Sequence, residues 1–149
     1  MNIAAAVSVD DIAAVKLLFI EYTEWLGLDL NFQGLDEEME TFPAVYCHLL
    51  LARVDGKPAG AIGLKDLGDG ICEMKRLYVR DSFQGAGLGR RLAEQLVEDA
   101  RDQGFTAMRL DTLPRLEAAI GLYADMGFQE IEPYYFNPVE GVVYFEKKL

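Results

Sequence analysis

The sequence predicts an α/β fold, a mixed, mostly antiparallel central sheet flanked by helices on both faces. Three observations carry that expectation. Between Tyr46 and Val79, three β-rich runs are joined by short turns carrying Asp-Gly. The second half alternates strand, helix, strand, helix, strand patterns. Leu88 to Gln103 is the clearest amphipathic helix, and a sheet needs such a layer to cover its apolar face.

Taken in order, Ile3 to Val7 is an apolar run that predicts a first strand. Ser8 followed by Asp11 resembles a capping box with a shorter acid. It opens a helix with Ile12, Val15, Phe19, Tyr22 and Leu26 on its apolar face and Gly27 at its end. Leu28 to Pro43 shows no sustained period, although Leu35 to Phe42 can form a short helix. Leu49 to Val54, Pro58 to Lys65 and Ile71 to Val79 read as an antiparallel meander, with turns at Asp55-Gly56 and Gly68-Asp69-Gly70. The long helix places Leu92, Leu96 and Ala100 on one face and stops at Gly104. A strand over Ala107 to Thr112, a helix over Leu116 to Met126 closed by Gly127, and β segments around Glu130 to Tyr135 and Val142 to Lys148 complete the chain.

A chain of 149 residues is the usual size of one domain, expected here over 1–149, and can bury roughly two-thirds of its unfolded surface. No apolar run approaches the ~20 residues of a membrane helix, and Met1-Asn2-Ile3 carries no basic flank or export-type apolar region. Cys47 and Cys72 read as small core residues in buried strands, without metal-ligand spacing. A cytoplasmic protein without membrane or metal is the expectation. The net charge of -11 argues against nucleic acid, whose phosphates need clustered Lys and Arg, and would draw a cationic substrate.

The most informative stretch runs from Leu77 to Arg91, where a strand passes through Gln84-Gly85-Ala86-Gly87-Leu88-Gly89 into the long helix. Glycines let backbone approach a ligand, and the first N–H groups of a helix lack partners within it, so a pyrophosphate fits there. A Walker A loop needs Lys and Ser/Thr after its last glycine; Arg90-Arg91 stands there instead. A dinucleotide fingerprint needs G-x-G-x-x-G after a strand of a βαβ unit, and neither the spacing nor the antiparallel context agrees.

Gln84 to Gly89 resembles the Q/R-x-x-G-x-G/A loop of the GCN5-related N-acetyltransferases (GNAT). Glu73 to Val79 looks like that family's fourth strand, and Leu122-Tyr123-Ala124-Asp125-Met126-Gly127-Phe128 like its L-Y-x-x-x-G-F segment. The resemblance covers nearly the whole chain and implies a GNAT-type sheet, acetyl-CoA as co-substrate and an amine as acceptor. It implies that main-chain groups of Leu77 and Val79 pair with the pantetheine arm, and that amides from Gly85 through Ala86, Gly87, Leu88 and Gly89 to Arg90 hold the pyrophosphate. A main-chain N–H near Tyr78 would stabilise the oxyanion. Tyr123 falls on the tyrosine that protonates the departing thiolate in many members; a phenol, of ordinary pKa about 10, suits a thiolate of similar basicity. A packed core aromatic is the alternative reading. Glu73, eleven residues before Gln84, stands where some members place the general base, or is a charged residue on the exposed face of its strand. Many relatives carry asparagine seven residues before the tyrosine; Leu116 stands there and has no side-chain amide to make that cofactor contact.

In this fold the acceptor is received by the first helix, the loop after it and the link between the last two strands. Those pieces supply Glu21, Trp25, Phe32 and Tyr135, which can seat a cationic small-molecule amine by charge and cation-π attraction or can simply pack. Arg76, Arg109 or Arg115 could instead bind an acceptor carboxylate, while His48 has no acid or nucleophile near it in sequence. The expected activity is direct transfer to a small amine in a ternary complex. A protein or peptide N-acetyltransferase and a non-catalytic acyl-CoA-binding module are the rivals, and a homodimer is compatible with the family.

Overall fold

The computed structural model describes residues 1–28 and 34–149. In chain order it contains β1 (Asn2–Ala5), α1 (Val9–Leu26), α2 (Leu35–Glu40), β2 (His48–Val54), β3 (Lys57–Gly68), β4 (Ile71–Val79), α3 (Leu88–Asp102), β5 (Ala107–Thr112), α4 (Glu117–Asp125), β6 (Gln129–Ile131) and β7 (Val143–Lys148). The seven strands form one mixed, mostly antiparallel sheet in the order β1-β2-β3-β4-β5-β7-β6. The chain divides into two compact units, Met1–Lys65 with Met74–Leu96 and Asp66–Glu73 with Val97–Leu149, so β3, β4 and α3 contribute to both.

In the first unit the turn chemistry fixes the meander. Asp55 and Gly56 both take positive φ, at 52° and 77°, the mirror-image turn whose twist matches the strands it joins. β2 and β3 pair antiparallel around it, and β1 pairs antiparallel with β2. Asp69 and Gly70, in the stretch that belongs to the second unit, repeat the device at 56° and 79°, and a link of two residues between neighbouring strands requires β4 to run antiparallel to β3. The Ser8 hydroxyl caps α1 by accepting the Asp11 N–H at 3.1 Å, and Gly27 closes it in the left-handed conformation. Val15, Leu18, Phe19 and Leu26 are its buried residues, so Leu18 joins the expected face while Ile12 and Tyr22 lie at its half-buried margin. This face packs with Tyr46, Leu49, Leu51 and Ala61. Gly63 is required there: a Cβ would stand 2.6 Å from the Tyr46 ring. Cys47 departs from expectation. It precedes β2 and is exposed, because its buried neighbour Tyr46 takes the inward position, whereas Cys72 is buried.

The second unit is built on β5, which lies parallel to the start of β4 and antiparallel to β7. Met108, Leu110 and Thr112 are buried on one face of β5; Arg109 and Asp111 alternate onto the other. The predicted β segment over Glu130 to Tyr135 is shorter in the structure. β6 ends at Ile131, two residues before Pro133, which has no N–H to give to a ladder. Tyr134 and Tyr135 therefore lie beyond the strand.

Candidate active site

The glycine loop belongs to the first unit. β4 ends at Val79, a 3-10 turn covers Asp81–Phe83, and the Gln84 amide side chain donates to the Val79 carbonyl at 2.9 Å and to Asp81 at 3.2 Å, folding the loop back on the strand end. Gly85 and Gly87 take φ of 88° and 76°, which side-chain-bearing residues rarely adopt, and a Cβ on either would meet nothing within 4 Å. Ala86 is exposed between them. The helical ladder of α3 begins where Arg91 donates to the Gly87 carbonyl at 3.1 Å. The amides of Leu88 and Gly89 precede that bond and sit at the positive end of the helix dipole. Leu88 is buried and anchors the turn, a Cβ added at Gly89 would come no closer than 3.8 Å to Val79, and Arg90 is exposed. On β4, Leu77, Tyr78 and Val79 are half-buried. Gly60 of β3 lets the strands approach, since a Cβ there would stand 2.8 Å from the Tyr78 carbonyl oxygen.

Beside this loop Arg80 donates through Nε and Nη2 to both oxygens of Glu21, at 2.9 and 2.6 Å, and through Nη1 to the Pro58 carbonyl. The Arg80 hydrogen bonds hold the Glu21 carboxyl below its ordinary range despite partial burial. The Tyr78 ring packs on Tyr22 at 5.7 Å, and burial followed by the Glu21 charge pushes its phenol up. Trp25 is 53% exposed and stacks on Tyr22. Phe32 lies outside the described residues.

Arg76 has a different role from the carboxylate binder considered on sequence grounds. It takes φ of 58° within β4 and points into the interior. There its Nη2 donates to Glu38 Oε1 at 3.0 Å and its Nε to Glu38 Oε2 at 3.1 Å, while the Tyr46 hydroxyl donates to Glu38 Oε2 at 2.6 Å. Burial works against the Glu38 charge, but Arg76 and Tyr46 outweigh it and hold the carboxyl below its ordinary range. This guanidinium is committed to the fold.

The second unit holds Glu73, Tyr123 and Tyr135. Glu73 is buried at 5% exposure and accepts the Tyr134 hydroxyl at 2.5 Å, so the exposed-face alternative does not apply. It lies in register with Arg109 of β5, which lies in register with Glu146 of β7, giving a row of acid, base and acid across three strands. Arg109 Nε donates to Glu146 at 2.8 Å, and its guanidinium carbon lies 5.3 Å from the Tyr134 ring centre. Tyr135 donates to Asp111, which also accepts from Asn137 at 3.1 Å. Tyr123 is buried in α4 and meets Phe128 edge to face at 5.8 Å. Among the described residues no group of three or more His, Cys, Asp or Glu could hold a metal ion, and no helix is long and apolar enough to cross a membrane.

Residues 12–128 match the profile of the Acetyltransferase (GNAT) family. The chain belongs to the GNAT family. It is 36% identical to an uncharacterized N-acetyltransferase of Schizosaccharomyces pombe over 100% of this chain and 95% of the relative. A crystal structure from Klebsiella pneumoniae assigned as an acyl-CoA N-acyltransferase superposes with a TM-score of 0.80 at 27% identity, covering 99% of this chain and 97% of that one. The PaiA N-acetyltransferase of Thermoplasma acidophilum, solved in complex with coenzyme A, shares the fold with a TM-score of 0.73 at 19% identity over 100% of both chains. This GNAT protein is therefore an acyltransferase of the N-acetyltransferase class. Its glycine loop was legible as a short local motif. The Arg80–Glu21 and Tyr134–Glu73 pairs were not, since 59 and 61 residues separate their members.

Proposed function

We propose that the protein transfers the acetyl group of acetyl-CoA to the amine of a cationic small molecule by direct attack in a ternary complex. The observation that carries this reading is the open glycine loop: Gly85 and Gly87 in left-handed conformation, clear space where their side chains would be, and helix-terminal amides directly following. That set of donors fits a pyrophosphate. Acetyl-CoA supplies an activated thioester carbonyl. For attack, the acceptor ammonium must lose a proton, because its lone pair is otherwise occupied, and Glu73 accepts it directly or through a water. The Tyr123 Oη returns a proton to the leaving sulfur. The net charge of -11 favours encounter with a cation, and the exposed Trp25 offers a ring face to it. Glu21 is read as part of the acceptor side with its charge shared with Arg80, so the field it presents is that of the pair.

Calorimetric titration with coenzyme A tests the loop, and silence there overturns the proposal. Thiol release from acetyl-CoA across polyamines, amino acids, aminoglycosides and short peptides tests the acceptor class. Turnover on a small amine is expected, while turnover confined to peptides would replace the small-molecule reading.

A further inference from the structure

Resting on the reading of Glu73 as base, we propose that Tyr134 is a positioning residue that fixes the Glu73 carboxylate through a hydrogen bond to its Oε2. The contact is short, at 2.5 Å, and its direction is settled by chemistry. Burial and the Glu73 charge push the Tyr134 phenol far above its ordinary range, so it stays protonated and donates.

The segment that brings this hydroxyl to Glu73 lies outside any strand, yet side chains fasten it at several points. Tyr144 donates to the Tyr135 carbonyl at 3.1 Å, Tyr135 donates to Asp111, and Asn137 bridges Asp111 and the Tyr135 hydroxyl. Asn137 also accepts the Val139 N–H at 2.9 Å. The rings of Tyr134, Tyr135 and Tyr144 pack mutually with centres 5.4 to 5.7 Å apart. Arg109, held by Glu146, lies against the Tyr134 ring from the neighbouring strand. A phenol restrained this fully on a loop offers its hydroxyl to the Glu73 carboxylate from one fixed direction. A base held in place accepts its proton in one geometry, and misplacement by about 1 Å can lower a rate by about a hundredfold.

The test uses Tyr134→Phe, which removes the hydroxyl and keeps the ring. Thiol release from acetyl-CoA is followed with spermidine, lysine, a lysine-containing tripeptide and water alone. With the best acceptor, kcat is expected to fall about tenfold, as for a lost hydrogen bond to a charged group, with coenzyme A affinity unchanged. In a Glu73→Gln background, Tyr134→Phe should change nothing further. Tyr144→Phe removes another hydroxyl from the same ring cluster and reports general loosening: a lower Tm with kcat per folded molecule close to wild type. Rates are expressed per folded molecule, read from the stoichiometry of coenzyme A binding, so the comparison remains readable if Tyr134→Phe is less stable. Wild-type kcat in Tyr134→Phe, or an equal loss in the Glu73→Gln background, overturns the inference. Wild-type turnover in Glu73→Gln alone overturns instead the reading of Glu73 as base. No amine exceeding the rate with water sinks the acceptor reading together with the inference built on it.

Discussion

Arg76 occupies a backbone conformation that costs a residue with a side chain about 1–3 kcal/mol, and its ion pair with Glu38 keeps it there. Both side chains are 4% exposed, so removing one leaves the other charged and dry. Arg76→Ala is expected to cost about 3–5 kcal/mol in urea unfolding. Arg53→Ala, which breaks the half-exposed Arg53–Asp11 pair despite its 2.6 Å contact, should cost no more than about 1 kcal/mol, because solvent already screens that pair. Similar losses from the two variants would contradict the assignment of Arg76 as a buried anchor. The sequence held no sign of it: Glu38 is 38 residues away, and alternation along a strand says nothing about what a distant acid does. The same limit hid the burial of Glu73.

At the scale of elements, turns and helix ends were the most legible features, because their chemistry is local. Gly27, Gly104 and Gly127 all end helices with positive φ, and Asp55-Gly56 and Asp69-Gly70 turn the strands as their residue types require. The placement of β7 between β5 and β6 was not legible, since strand order depends on which edges are open when the chain returns. The shortened β6 was recoverable from Pro133, whose missing N–H outweighs the β propensity of the following tyrosines. Within the loop, the glycines are not equivalent. Gly87→Ala introduces left-handed strain of about 1–2 kcal/mol without a clash and puts a methyl group into the space beside the α3 amides. Gly89→Ala makes only an ordinary 3.8 Å contact with Val79 at a helical position. Calorimetry with coenzyme A is expected to show Gly87→Ala weakened at least tenfold more than Gly89→Ala. Equal affinities would mean that the space beside Gly87 is not where the phosphates lie.

For the molecule as a whole, the shifted groups bound a pH window. Glu38 has a folded pKa below its ordinary 4.5, so its contribution is present above 4.5 and is lost as pH falls through the lowered value. Glu21 acts in the same direction with less weight, because solvent reaches its pair with Arg80. Tyr134 and Tyr144 are raised by burial above the ordinary 10.0; the stability that their protonated phenols lend is full below 10.0 and is lost as pH rises through the folded values. Protonating surface acids also relieves repulsion in a chain of net charge -11, but exposed charges are screened beyond about 8 Å at physiological salt, so the buried pair decides. The urea midpoint is expected to be flat between roughly pH 5.5 and 9 and to drop on both sides. An acid limb unchanged in Glu38→Gln would remove that residue from the account. One architectural detail bears on crowding. In each unit the outermost strand is the shortest, four residues in β1 and three in β6. Borders so brief leave few main-chain groups on which a neighbouring copy could template a growing β ribbon, and the protein is guarded against fibrous self-association by economy of length.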